Sequence, residues 1–489
     1  MSVGVALVLA SIVITTIGAI WVAAIPGEAK TQRHCIVVGA ALVSAAMVWY
    51  LLYLGLGSGT YPAFRVGIAS LSLDLTLDPL GLTYGILAST LWVFASIYSV
   101  GYMEHDTKQR QYFTFFLVSA GITLGIAFSG NLFTFYLFYE LLTFATYPLV
   151  VHSGTKDALE AGRKYIRYSL VGASFILAAI VMLWTLTGGV LDFSSIPAAL
   201  ATASSGQLRI LFFLFLIGFG VKAAIMPLHG WLPSAMVAPT PVSALLHAVA
   251  VVNAGVFGVL RTVYSVFGVD LVKSLSVRPI LLVLCSVTII LGSLIALKQD
   301  VLKRRLAYST ISQLAYILLG AFILHPLALA GAMLHMIFHS TLKIVLFFAA
   351  GIVAEETGYL KVSELGGTGR ILPVTMGSFG IISLGMIGML PLSGFWSKYY
   401  LMRGSLAADA WILLVVLLLS GLLNALYFIP ITVSAFTGTS DLKPRRKTKA
   451  LLFMLVPTVI IAAFGVIFGL YPGLTLPLVD AVVAQFFSL

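Results

Sequence analysis

Charge is scarce in this sequence: Lys, Arg, Asp and Glu together make up 9% of its 489 residues, against 60% hydrophobic ones. A soluble globule needs far more polar surface, so that class is excluded. Cysteine is almost missing. Cys35 and Cys285 alone support neither a disulfide framework nor a Cys-ligated metal or iron–sulfur centre, so no redox centre is expected in the chain. Metal motifs, phosphate loops and nucleophile elbows are also missing, and no cofactor is expected. No basic residue precedes the apolar run 3–25, which is too long for a signal-peptide core and reads as a retained first span. Acids are rarer than bases, 17 against 28. In so apolar a chain, surplus positive charge points to basic loops on one side of a lipid bilayer rather than to nucleic acid.

What the sequence does have is hydrophobic length. Runs long enough to span occur at 3–25, 34–57, 79–100, 111–129, 131–151, 165–187, 208–226, 241–261, 279–297, 306–323, 326–354, 371–391, 410–436 and 450–470, without strand-like alternation, and a short segment 471–489 follows. The expected fold is therefore an all-α polytopic membrane protein of about fourteen transmembrane helices. Loops on one side hold nineteen basic residues and those on the other only six. With the basic side in the cytoplasm, both termini of this cell-membrane protein face outward. The basic runs 298–305 and 443–449 read as headgroup anchors or docking points for a partner subunit.

Three lysines escape that loop tally and lie in hydrophobic segments: Lys222, Lys343 and Lys398. From Leu208 to Val221 the chain is apolar apart from Arg209, which puts Lys222 roughly 21 Å into a hydrocarbon core of about 30 Å. Pro227, Pro233, Pro239 and Pro241 follow, so the helix must break, and a break at that depth is tolerated only when it lines a cavity or is buried in protein. Met226-Pro-Leu-His-Gly-Trp231 reads against Leu390-Pro-Leu-Ser-Gly-Phe395 at an offset of 164 residues, five spans apart and so in opposite senses. Paired breaks at Pro227 and Pro391 in opposite senses mark an inverted repeat. Lys222 precedes its break, whereas Lys398 follows.

Glu140 is the only acid in mid-span, and His247, His335 and His339 lie in spans too. Such groups gain and lose protons, so together with the lysines they form a relay inventory. His335, His339 and Lys343 are four residues apart and share one helix face, about 6 Å from one to the next. Glu140 and Lys222 are expected to form an ion pair, since each opposes the shift that burial imposes on the other. His247 either accepts a proton from Lys222 through water or binds a carbonyl, and Lys398 is expected near the outer face as the release group. The bland alternative is a structural ion pair with packing histidines.

At this point the residues resemble the antiporter-like membrane subunits shared by respiratory complex I, multisubunit (Mrp-type) Na+/H+ antiporters and membrane-bound hydrogenases. The resemblance covers roughly 70–435 and rests on LDPLGL at 77–82, FYELLTFATYPL around Glu140, KAAIMPLHGWLPSAMVAPTPVSALLHA at 222–248, ALKQDVLKRRLAYSTISQLAY at 296–316, HMIFHSTLKIVLFFAAG at 335–351 and LPLSGFWSK at 390–398. It implies three leading helices (1–110), two inverted five-helix repeats (111–267 and 276–436) and a trailing helix (445–489). It further implies Glu140 and Lys222 as the proton-loading pair, His247 as a central group and Lys398 at the exit. Departures are Ser129-Gly130-Asn131, Ser234 and Tyr399 where acids are common, and Asn253 where several relatives carry lysine. The chain looks most like the shorter, D-type antiporter subunit or a hydrogenase counterpart. The function implied is proton translocation, with or without exchange for sodium, beside other membrane subunits of a respiratory, hydrogenase or antiporter complex. A stand-alone transporter of a small solute and a structural subunit without transport are the competing readings.

Overall fold

A computed structural model describes residues 3–58, 63–68, 71–439 and 449–487. Lys443, Arg445, Arg446 and Lys447 of the second basic run lie outside the described residues. In chain order the main elements are α1 (Val3–Ala24), α2 (Lys30–Ser58), β1 (Ala63–Ile68), β2 (Leu71–Thr76), α3 (Pro79–Tyr102), α4 (Gln109–Ala127), α5 (Leu132–Val150), α6 (Lys156–Thr187), α7 (Ser205–Lys222), α8 (Thr240–Ala248) and α9 (Val251–Leu260). A π-helical turn over Arg261–Phe267 continues α9. Then follow α10 (Arg278–Lys298), α11 (Leu302–Ile323), α12 (Pro326–Thr357), α13 (Pro373–Ile387), α14 (Ser393–Ala407), α15 (Ile412–Thr437), α16 (Lys449–Leu470) and α17 (Leu476–Phe486).

Hydrophobic length makes the helices and polar residues at their starts fix the boundaries. Asn131 accepts from Thr134 N at 2.8 Å, Thr155 accepts from Ala158 N at 3.2 Å, and Ser204 with Gln207 forms a capping box. Among the described residues eleven helices are long and apolar enough to cross a membrane, counting Thr240–Phe267 as one. The 19-residue helices α4 and α5, each about 28 Å long, and the interrupted pair α13 and α14 complete the alternation. The result is the expected all-α polytopic membrane fold with a broken helix in each half.

The crossing formed by α8 and α9, together with α12, is buried on every side, and α11 nearly so, whereas α1, α6, α10, α15 and α16 expose most of their surface. A helix that is apolar all round and enclosed by others forms the interior of a bundle. His247 on α8 and His335, His339 and Lys343 on α12 lie on these enclosed helices.

Several features differ from the sequence expectations. The hairpin β1–β2, with Phe64 opposite Leu75 and Arg65 opposite Asp74, falls in a stretch read as loop, although Leu71 to Leu77 does alternate. The run 371–391 covers only α13, and α14 adds a second half-helix beyond the break. Arg261, placed in a loop by the basic count, is 2% exposed inside the bundle. Its guanidinium pairs with Asp78 in two hydrogen bonds, one of them Nη2 to Oδ1 at 2.8 Å. Gln485 Nε2 on α17 donates to the same carboxylate at 2.9 Å.

The run 298–305 also binds protein, where headgroup anchoring was expected. Lys303 Nζ donates to Ala238 O at 2.7 Å, and Arg305 Nε to Gln299 O at 2.8 Å with Nη1 to Tyr427 O at 3.3 Å. Ser363 donates its backbone N and its hydroxyl to Asp300 at 3.0 and 2.9 Å, and those two bonds hold this exposed carboxyl below its ordinary range. The loops at 103–108, 151–155 and 299–301 lie on one face of the bundle, here called the charged-loop face, and the hairpin on the other.

Candidate functional site

The first break begins at Lys222 itself. Helix α7 closes with Ala223 N on Phe219 O, and Ala224 takes φ +55°. Trp231, beyond the break, returns its indole N–H to Val221 O at 2.7 Å. Lys222 is 1% exposed. Its Nζ donates to Tyr139 O at 2.6 Å and sits 3.5 Å from the centre of the Tyr139 ring. A helix C-terminus carries partial negative charge, and a cation there is favoured. Close packing holds the turn: a Cβ on Gly255 would lie 2.2 Å from Ala223 N and 2.6 Å from Lys222 C, so α9 passes directly behind the lysine only because position 255 has no side chain.

Glu140 is not Lys222's contact partner, contrary to the expectation from burial alone. None of the four ion pairs among the described residues joins them, and Glu140 Oε1 has no protein partner. The reason is helical: neighbours i and i+1 point in different directions, so an ammonium bound to Tyr139 O and resting on the Tyr139 ring does not reach the carboxylate one residue on. The two charges remain close enough to interact electrostatically. A double-mutant cycle with Glu140→Gln and Lys222→Met, read as complex melting, should therefore give a coupling well below the roughly 3–5 kcal/mol of a broken buried contact pair. Coupling of that full size would show that the pair closes in the working protein.

The second break has the same plan reached from the other side. Helix α13 ends at Ile387, Gly388 takes φ +98°, and α14 starts at Ser393. Lys398 Nζ reaches back to donate to Met386 O at 2.9 Å and Ile387 O at 2.7 Å, covering two carbonyls that a helix end leaves open. At the offset of 164 residues Met386 is the counterpart of Lys222, so both ammonium groups arrive at the C-terminal end of a half-helix. Each also sits over a tyrosine: Lys398 Nζ is 5.3 Å from the centre of the Tyr316 ring. Lys398 is thus enclosed between the two half-helices.

From Lys398 the titratable groups run back along α12. The Tyr316 ring stacks on His335 at 5.1 Å, and His335 on His339 at 6.0 Å. His335 Nδ1 shares a hydrogen bond of 2.9 Å with Ser397 Oγ, while both ring nitrogens of His339 and of His247 lack protein partners. Lys343 Nζ donates to Ser309 Oγ at 2.9 Å and Leu306 O at 3.3 Å. The Tyr427 hydroxyl lies 3.0 Å from Ser309 Oγ and also against Asn424 Oδ1, able to donate its one proton to either.

His247 lies two residues before an interruption with no proline. Val249 and Ala250 leave helical geometry between α8 and α9, and Tyr84 OH lies 3.1 Å from the carbonyl of each, able to donate to either. Asn253 Nδ2 donates to Ala248 O at 2.8 Å and Ser340 Oγ at 2.9 Å. Sequence reasoning missed Tyr84, Tyr139, Tyr316 and Tyr427, because a tyrosine in a span carries no spacing signal. For Tyr84 and Tyr427 the clue was a hydroxyl in a span in need of a partner, whereas Tyr139 and Tyr316 act through their rings and their hydroxyls have no protein partner.

Two family profiles match the chain. One described as "NADH:quinone oxidoreductase/Mrp antiporter, TM" covers residues 129–424, and one described as "NADH-Ubiquinone oxidoreductase (complex I), chain 5 N-terminus" covers 64–113. NADH-quinone oxidoreductase subunit N of Desulforudis audaxviator (strain MP104C) is 34% identical over 422 residues, which is 82% of each chain. Na(+)/H(+) antiporter subunit A1 of Staphylococcus haemolyticus (strain JCSC1435) is 31% identical over 434 residues, 83% of this chain and 53% of that one, so the chain spans about half the length of that relative. The fold matches a chain of an archaeal respiratory complex, the membrane-bound sulfane sulfur reductase, with TM-score 0.89 at 22% identity over 98% of this chain and 97% of that one. It also matches a chain of the Mrp complex from Dietzia sp. DQ12-45-1b, with TM-score 0.87 at 21% identity over 99% and 98%.

Proposed function

The chain belongs to the NADH:quinone oxidoreductase/Mrp antiporter family of membrane subunits, and from that membership and the buried charges we propose how it moves ions. It is an ion-translocating subunit of a multisubunit membrane complex, working beside other membrane subunits. The ion is the proton, and the carriers are Glu140, Lys222, His247, His335, His339, Lys343 and Lys398, in two inverted halves (111–267 and 276–436) hinged on the breaks at Pro227 and Pro391. The charged-loop face is cytoplasmic and both termini face outward, in keeping with the nineteen-to-six split of basic residues.

One observation carries this reading. Three lysines and three histidines are buried, and no acid pairs with any of them within 4 Å among the described residues. An ammonium left buried without a counter-ion is costly, and a costly charge that persists in a packed interior is one the protein uses by releasing it. Hydroxyls and backbone carbonyls hold the lysines with their ammonium groups ready to exchange protons with water. The test is the purified complex in sealed vesicles, with ion movement followed by a pH-sensitive dye. His339→Ala is expected to lower translocation by about 10²-fold, the usual size of a lost proton-transfer group. Wild-type rates from that variant would refute the relay.

A further inference from the structure

A fourth lysine belongs with the relay, and it connects the relay to a cavity. On the charged-loop face a cavity of about 670 Å³ is lined by Tyr102, His105, Asp106, His152, Lys303 and Glu355, among others. That volume holds on the order of twenty waters at about 30 Å³ each. Its walls come from the turns after α3 and α5, the tail of the first break, the start of α11 and the end of α12. Four of its groups titrate and lie outside the relay. His152 pairs with Asp106 at 3.0 Å, His105 is exposed, and Glu355 faces the Tyr102 hydroxyl, which accepts from Thr240 Oγ1 at 3.4 Å.

Lys303 forms the floor. Its Nζ donates to Ala238 O at 2.7 Å, two residues before α8 begins, and His247 lies on that helix about 10 Å further along. Ala238 O also accepts from Ser243 Oγ at 3.1 Å, one turn before His247 on α8, and Asn253 joins Ala248 O, next to His247, to Ser340 Oγ, one turn before Lys343 on α12. Leu306 and Ser309, which hold Lys343, follow Lys303 by one and two turns on α11. Lys303 therefore stands between the cavity on the charged-loop face and the two central relay groups.

We infer that this cavity is a proton port opening on the charged-loop face, and that Lys303 passes protons between it and His247 and Lys343. The central relay then exchanges protons directly with that face, without drawing them sideways from Glu140 and Lys222. The inference rests on the relay reading above, so its test includes a relay variant. The complex is reconstituted with Lys303→Met, Lys303→Arg, His247→Ala or Glu355→Cys. Lys303→Met should lower translocation at least about tenfold. Lys303→Arg keeps the charge and a donor for Ala238 O but cannot let go of its proton, and should do the same. Glu355→Cys should react with a membrane-impermeant sulfonated thiol reagent added on the charged-loop face and lose pumping as it does. Normal pumping by Lys303→Arg beside an inactive His247→Ala overturns the port and leaves the relay standing, as does a Glu355→Cys that stays unreactive. Normal pumping by both Lys303→Arg and His247→Ala overturns the relay itself.

Discussion

Replacing Lys222 with Ala is expected to abolish ion translocation, by about 10²-fold or more, while the complex still assembles. The two outcomes separate because the lysine's role in packing is small. Its ammonium supplies one hydrogen bond, to Tyr139 O, a mid-helix carbonyl that keeps its intrahelical donor, so losing that bond costs at most about 1–3 kcal/mol. Removing an ammonium from the interior acts in the opposite direction. The turn itself is kept by Trp231 on Val221 O and by the close approach of Gly255, neither of which the substitution touches. Native electrophoresis of the complex and dye-monitored pumping in vesicles read the two effects. A complex that assembles and pumps at the normal rate would remove Lys222 from the relay.

The second large effect is expected at Lys398, where Lys398→Arg should block translocation as fully as Lys398→Ala. Arginine keeps the cation at the end of α13 and has donors enough for the carbonyls of Met386 and Ile387, which lysine covers at 2.9 and 2.7 Å. What it lacks is the ability to deprotonate. Lys398 has no acid within ion-pair distance among the described residues, so no counter-charge favours its protonated form over the neutral amine. If the arginine variant pumps at close to the normal rate, Lys398 is a fixed charge that caps a helix end, and the proton leaves by another route.

How far the sequence could be read follows the strength of the physical constraint. A bilayer forces hydrophobic length, so the crossings are plain in the sequence, and proline forces a break, so the two interruptions at Pro227 and Pro391 are visible too. The interruption at Val249–Ala250 is not. It depends on Tyr84, distant in sequence, satisfying carbonyls that α8 gives up, and a contact between distant residues leaves no local mark. The hairpin was legible in the alternation from Leu71 to Leu77 but was passed over in a chain dominated by helical runs. Burial of Lys222, Lys343 and Lys398 could be read from their flanks, whereas their partners could not. Charge alone suggested Glu140 for Lys222, and the direction of Tyr139 on the helix decided otherwise. The loop count likewise took Lys303 and Arg261 for surface cations, because a charge near a span end looks the same whether it faces water or turns inward.

The length of α12 also has a mechanical consequence. Its 32 residues rise about 48 Å, against a hydrocarbon layer of about 30 Å, and a tilt of about 20° shortens its span by only a few ångströms. A helix of that length stands through the slab like a post, with about one and a half turns of surplus at each end. On the charged-loop side that surplus carries Glu355 and Glu356, so the axis that holds His335, His339 and Lys343 in the buried interior ends in two carboxylates at the charged-loop face.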